Sequence, residues 1–244
     1  MKKAVILFSG GADSTLATAL KANEFDEIHL LTFHQQTSFQ AKKSKYYLDA
    51  LKKKFGNKFK HKIIHINKLY KKVLTNNLKD DFKKYHFHMA LFICEACRIA
   101  MQAATIKYAI KHKIKYVFDG SWKKQDISPE AMKEVLVEIK KLYFEFGLYH
   151  KSPVYNYPNK NAIQKKLFEL NIADSPKYKC RPLTNTDAYL FPKNQPSCPV
   201  GIISVAYSKY IYAPIKGRKR RNLDCKEYYI SKKEILKKII NQKN

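Results

Sequence analysis

Six residues, Ser9-Gly10-Gly11-Ala12-Asp13-Ser14, limit what this chain can fold into more than any other feature. Ala4-Val5-Ile6-Leu7-Phe8 before them is short, β-branched and aromatic, which reads as a buried strand. Thr15-Leu16-Ala17-Thr18-Ala19-Leu20 after them is rich in helix formers with apolar residues at helical spacing. The six therefore make a strand-to-helix turn. A helix N-terminus leaves backbone N–H groups unpaired and carries partial positive charge, so it attracts anions. Adjacent glycines let backbone approach a phosphate, and Ser9 and Ser14 add hydroxyl donors. Asp13 is out of place in an anion site unless a divalent metal lies between it and the phosphate. An ordinary turn capped by Asp13 or Ser14 is the plainer alternative.

The rest of the chain reads as alternating strands and helices. Strands are expected at 27–33, 62–66 and 115–118, and helices at 38–56, through much of 67–112, at 129–147 and at 161–170. Such alternation argues for βαβ units and a parallel sheet. Ligands of these sheets bind at the carboxyl ends of strands, which makes Phe33 and Gly120 candidates for an adenine or ribose pocket. Beyond Cys180 the chain gains prolines and loses periodicity, then ends in a basic helix from about Ser231. Residues 1–180 are read as the nucleotide domain and 181–244 as a basic extension of it.

The glycine run matches SGGxDS, and the chain resembles the PP-loop ATP pyrophosphatase superfamily. It differs from G-x-x-x-x-G-K-[ST] loops in having no terminal lysine, and from G-x-G-x-x-G in having adjacent glycines. The resemblance implies a doubly wound, mostly parallel α/β sheet. It also implies cleavage of ATP between the α- and β-phosphates, with Mg²⁺ shared by Asp13 and the pyrophosphate, and adenylation of a substrate oxygen. Ser9, Gly10, Gly11, Ala12, Asp13, Ser14 and Thr15 would bind the ATP.

Five cysteines in 244 residues are too few for a disulfide scaffold. Cys94 and Cys97 form a CxxC, a spacing that suits metals and clusters but also occurs in buried structural thiols. Cys180 lies among Pro, Lys and Arg, where a thiol's pKa is lowered. Together they resemble the PP-loop enzymes that thiolate tRNA. In one branch of that family three cysteines hold a 4Fe–4S cluster; in another two act through a persulfide. By this resemblance Cys94, Cys97 and Cys180 are catalytic and metal-binding, and the partners are tRNA and a sulfur donor, either sulfide or a persulfide carrier. Cys198 would add a fourth ligand only in a zinc site, and Cys225 has no role assigned. The alternative is a small-molecule PP-loop enzyme, resembling 7-cyano-7-deazaguanine synthase with its structural zinc or the enzymes that give cysteine sulfur to a nickel-cofactor precursor.

The net charge of +28, from 48 basic against 20 acidic residues, favours a polyanionic partner. An A/T-rich genome raises lysine but does not explain so few acids. Arg218, Lys219, Arg220 and Arg221 lie in the densest basic run and are the candidate nucleic-acid contacts. The apolar stretch after Met1 is too short for a secretory leader and no apolar run approaches roughly 20 residues, so a cytoplasmic protein without a membrane partner is expected. Self-association as a homodimer is left open.

Overall fold

The computed structural model describes residues 1–36, 44–86, 88–123, 128–176 and 198–242. Its centre is a five-stranded sheet in the order β3-β2-β1-β4-β5, every neighbouring pair parallel. The strands are β1 (Lys3–Leu7), β2 (Glu27–His34), β3 (Phe59–His65), β4 (Tyr116–Phe118) and β5 (Tyr149–Lys151). The parallel sheet is the one that the alternation of elements predicts, and its doubly wound arrangement is the one that the resemblance implies.

Parallel sheets are covered on both faces, and the period-2 alternation of β1 shows how. Ala4, Ile6 and Phe8 point into one apolar layer with Leu16, Ala17, Leu48 and Leu51, supplied by α1 (Ala12–Lys21) and α2 (Lys45–Phe55). Ile163 and Leu167 of α7 (Lys160–Glu169) complete that layer. Val5 and Leu7 point into the other, with α5 (Ala96–Lys111) and α6 (Lys133–Glu145). All five apolar side chains from Ala4 to Phe8 are within 6% of complete burial. Each large one contributes about 1.5–3 kcal/mol on burial.

The chain leaves β1 toward β2 on one side and reaches β4 on the other, so the order reverses between β1 and β4. That crevice is where open α/β sheets bind ligands. The phosphate-loop candidate and the turn Asp119-Gly120-Ser121 both open onto it.

Two expectations are corrected. The sequence does not announce β5, because three residues reading Tyr149-His150-Lys151 carry no apolar run and pair as an edge strand on β4 alone. The chain from Cys198 to Gln242 is also helical well before the basic helix expected from about Ser231. Among its described residues are α8 (Pro199–Tyr207), a π-helical turn (Ser208–Tyr212), α9 (Ala213–Lys216), α10 (Arg218–Ser231) and α11 (Lys233–Asn241). Cys225, Tyr228, Tyr229, Leu236 and Ile239 from α10 and α11 belong to the same apolar cluster as Val5 and Leu7. No helix among the described residues is long and apolar enough to cross a membrane.

Candidate active site

The phosphate loop turns sharply because Gly10 adopts φ +73°, and a Cβ there would stand 2.4 Å from the Ser44 Cα. Glycine is required on both counts. Ser9 Oγ and Ser14 Oγ share a hydrogen bond of 3.1 Å, and the Gly11 N–H donates to Ser9 Oγ at 3.3 Å. Gly11 caps α1 from an extended conformation without a side-chain cap, and Asp13 lies in the first turn, where a carboxylate suits the helix dipole. Ala12 and Thr15 are buried and shape the loop from beneath.

Asp13 is ion-paired with Lys160 at the start of α7, both side chains being only about 15% exposed. Lys160 Nζ also lies 5.3 Å above the ring of the buried Trp122. Trp122 is fixed by its Nε1–H donating to the Tyr157 carbonyl at 2.6 Å, and Asn159 caps α7 by accepting from the Ala162 N–H at 2.8 Å. The lysine that the loop lacks in sequence is thus supplied from 147 residues away. Sequence pattern does not select Lys160. The only local signal for it is its place directly after a helix cap.

The second wall is the end of β4. A Cβ on Gly120 would stand 2.6 Å from the Ser14 nitrogen, so the β4 turn is in direct backbone contact with the phosphate loop. Asp119 beside it is buried and held by Arg98, by His150 Nε2 at 3.1 Å, by Ser152 Oγ at 2.6 Å and by the Ser121 N–H at 3.0 Å. Burial alone would raise its pKa. The charges of His150 and Arg98, with the hydrogen bonds, outweigh that and hold the carboxyl well below the usual range. Asp119 is therefore an ionised anchor, and it ties Arg98 of α5 to the loop. Arg98, His150 and Ser152 do not stand out in the sequence because their partner lies 21 to 33 residues away.

Cys97 directly precedes Arg98 on α5, and its side chain packs with Ile66, Ala100, Tyr70 and Phe33. Cys94 lies in a π-helical turn, Leu91–Glu95, and such turns recur at functional sites. Cys198 caps α8, its Sγ accepting from the Gly201 N–H at 3.4 Å. Cys94 Sγ is 3.1 Å from Ser204 Oγ, one turn into the same helix. The position of a Cβ on Gly201 would be 3.1 Å from the Cys198 sulfur and 3.6 Å from that of Cys94. Burial, and then the electrostatic influence of Cys97, Cys94 and Cys198, push the pKa of Tyr70 up to about 12, and Cys97 packs in the same cluster as its ring. Cys180 lies outside the described residues. The sequence allows Cys198 a place only in a zinc site, whereas the fold seats it beside Cys94 whatever the site holds. The Cys-Pro start of an apolar helix is the local signal for it. Among the described residues no three ligating side chains are gathered closely enough to hold a metal ion. Phe33 packs on this side too, in the cluster that contains Tyr70 and Cys97.

His88, three residues before the π turn of Cys94, holds the second π turn, Ser208–Tyr212: it shares a hydrogen bond of 2.9 Å with Ser208 and stacks on Tyr212 with ring centroids 4.1 Å apart. The candidate nucleic-acid run divides. Arg218, Lys219 and Arg220 are exposed, but Arg221 is buried and donates to Asn222 Oδ1. Its place on the inner face of α10, one helical turn before the buried Cys225, removes it from that surface.

The family model for QueC, the queuosine biosynthesis protein, matches residues 3–143. The chain belongs to the QueC family. The matched part of this QueC-family chain contains the phosphate loop, Cys94, Cys97, Arg98 and Asp119, and leaves Lys160 and Cys198 beyond it. The 7-cyano-7-deazaguanine synthase of Gloeobacter violaceus is 58% identical over 33 residues, which spans 14% of this chain and 14% of that relative. A 4-thiouridine synthetase, solved in complex with RNA and bound ATP, superposes with a TM-score of 0.51 at 19% identity, over 96% of this chain and 53% of the other. The U34-tRNA thiolase NcsA from Methanococcus maripaludis, solved with its [4Fe-4S] cluster, gives 0.47 at 16% identity over 97% and 73%. The fold is the PP-loop ATP pyrophosphatase fold.

Proposed function

We propose that this chain is an ATP-using PP-loop enzyme that makes a nucleobase oxygen leave as AMP and replaces it with sulfur. The substrate oxygen attacks the α-phosphate, the bond to pyrophosphate breaks, and sulfide then attacks the activated carbon as AMP departs. Adenylation is needed because a carbonyl oxygen is a poor leaving group at neutral pH. Lys160 and the α1 N-terminus would stabilise the negative charge that collects on the departing pyrophosphate. Asp13, Ser9 and Ser14 offer the hard oxygen ligands that suit Mg²⁺, which when bound would neutralise phosphate charge. Thiolates are the soft ligands that an iron–sulfur cluster or zinc would take, and Cys94, Cys97 and Cys198, not gathered closely enough to hold one in this structure, would supply them with Cys180 as the further thiol that the sequence suggests. The observation that carries the sulfur reading is the meeting of Cys94 and Cys198 over Gly201, with Cys97 on the helix whose Arg98 holds Asp119, the neighbour of the Gly120 that touches Ser14. The net charge of +28 supports tRNA as the acceptor.

A second reading has a specific observation in its favour, the family match over residues 3–143. The relative from Gloeobacter is named for a cyano group on a 7-deazaguanine base. A nitrile is also made by removing oxygen from a carboxyl-derived carbon, so the loop would do the same work with nitrogen as the incoming atom. One experiment separates the two. The protein is given ATP with bulk tRNA and sulfide, or with a 7-deazaguanine carboxylate and ammonium, and pyrophosphate and product mass are measured. Oxygen replaced by sulfur in the RNA nucleosides is the expected outcome; a nitrile product with no thiolated base overturns it.

A further inference from the structure

We propose that the corner between α9 and α10 is a docking surface for unpaired RNA, an inference that rests on the RNA-acceptor reading and locates the acceptor's contact. Seven consecutive residues, 214–220, are exposed at this corner, where Gly217 with φ +87° joins the two helices. The first turn of α10 reads Arg218-Lys219-Arg220-Arg221, with no acidic residue and no side-chain cap. Helices favour carboxylates at that end, because the exposed N–H groups already carry positive charge. Folding gives no reason to put Arg218 and Lys219 there. Of the exposed cations in this turn, Arg220 pairs with Asp224 at 2.7 Å, which leaves the other two directed at solvent beside a positive helix end.

The helical residues that lead into this corner also expose apolar and aromatic side chains. Tyr210 is 50% exposed, Ile211 48% and Ile215 73%. Lys209 Nζ stands 5.2 Å over the Tyr210 ring, so cation and ring face the same space. A surface built only for phosphates needs no exposed isoleucine or tyrosine. Phosphate-binding cations next to a flat ring suit a strand whose bases are free to stack, since bases within a duplex are already stacked on each other. The strong positive charge of the whole chain favours the same partner.

The test uses the full chain without ATP, so it stands apart from the adenylation assay. Fluorescence anisotropy is followed with a labelled unstructured RNA strand, the same strand annealed into a duplex, and vesicles containing an anionic phospholipid. The wild type is expected to prefer the single strand. Arg218→Ala with Lys219→Ala should lower the slope of log K against log salt by about 1.4, two single-strand phosphate contacts. Tyr210→Ala should weaken single-strand binding roughly tenfold and leave the salt slope unchanged. An unchanged slope in the double variant, equal binding of duplex and strand by the wild type, or preference for the vesicles overturns the proposal. Thiolation activity is read separately: its absence in a wild type that binds the strand as described refutes the sulfur reading and leaves this surface standing.

Discussion

Lys160 holds the carboxylate of Asp13 across 147 residues of chain, so the phosphate loop is completed by a helix from the far end of the sheet. The pair is mostly shielded from water, which makes removal of either partner more costly than loss of a surface ion pair. Asp13→Ala should abolish conversion of ATP to AMP and pyrophosphate, and Lys160→Ala should slow it at least tenfold. Each should lower stability by about 1–3 kcal/mol and leave a folded protein. Pyrophosphate release and urea unfolding of both variants check this; wild-type turnover in Lys160→Ala would remove the lysine from the site.

Gly120→Ala tests the contact between the β4 turn and the loop. A methyl group 2.6 Å from the Ser14 nitrogen meets backbone at the start of α1, so the loop itself must shift. ATP affinity should fall sharply, with a stability loss of about 1–3 kcal/mol. A nucleotide titration that matches the wild type would show that the loop tolerates the shift.

Acid should loosen the C-terminal helices through His88. Burial, and then the nearby Arg221 charge, press its pKa from 6.5 down to about 3. The unfolded chain takes up that proton below pH 6.5 and the folded one does not, so unfolding binds protons and stability falls as pH drops from 6.5 toward 3. Replacing His88 by Phe should flatten this dependence by at most about 1.4 kcal/mol per pH unit. Urea midpoints measured across that range give the answer, and an unchanged pH slope would mean His88 is not held neutral.

The thiols make the sharpest comparison between sequence and fold. Cys198→Ala should lower thiolated product along with Cys94→Ala, since the two sulfurs flank the same point above Gly201. Cys180→Ala should do so as well if it supplies the further thiol, and Cys225→Ala should affect packing only, being wholly buried in the core. Single variants assayed for thiolated nucleoside and for bound iron and zinc decide this. Full activity in Cys198→Ala would mean that its position beside Cys94 is structural.

The sequence alone determined the fold class and those parts of the candidate site that lie in neighbouring residues. β1, the glycine turn and α1 are consecutive, so their hydrophobic pattern, the positive-φ demand at Gly10 and the helix-end charge are all written in neighbouring residues. The same holds for the CxxC, whose spacing lies within one helical turn. What the tertiary structure decided involves partners distant in sequence. It paired Lys160 with Asp13, fixed Asp119 through Arg98, His150 and Ser152, and set Cys198 beside Cys94. It also turned Arg221 inward and left Arg218 and Lys219 outside, a division that a run of like charges cannot display. Periodicity records which face a residue takes within its own helix or strand, but not which other element will cover that face. That is settled only when the two apolar layers close on the sheet and bring the ends of β1 and β4 together.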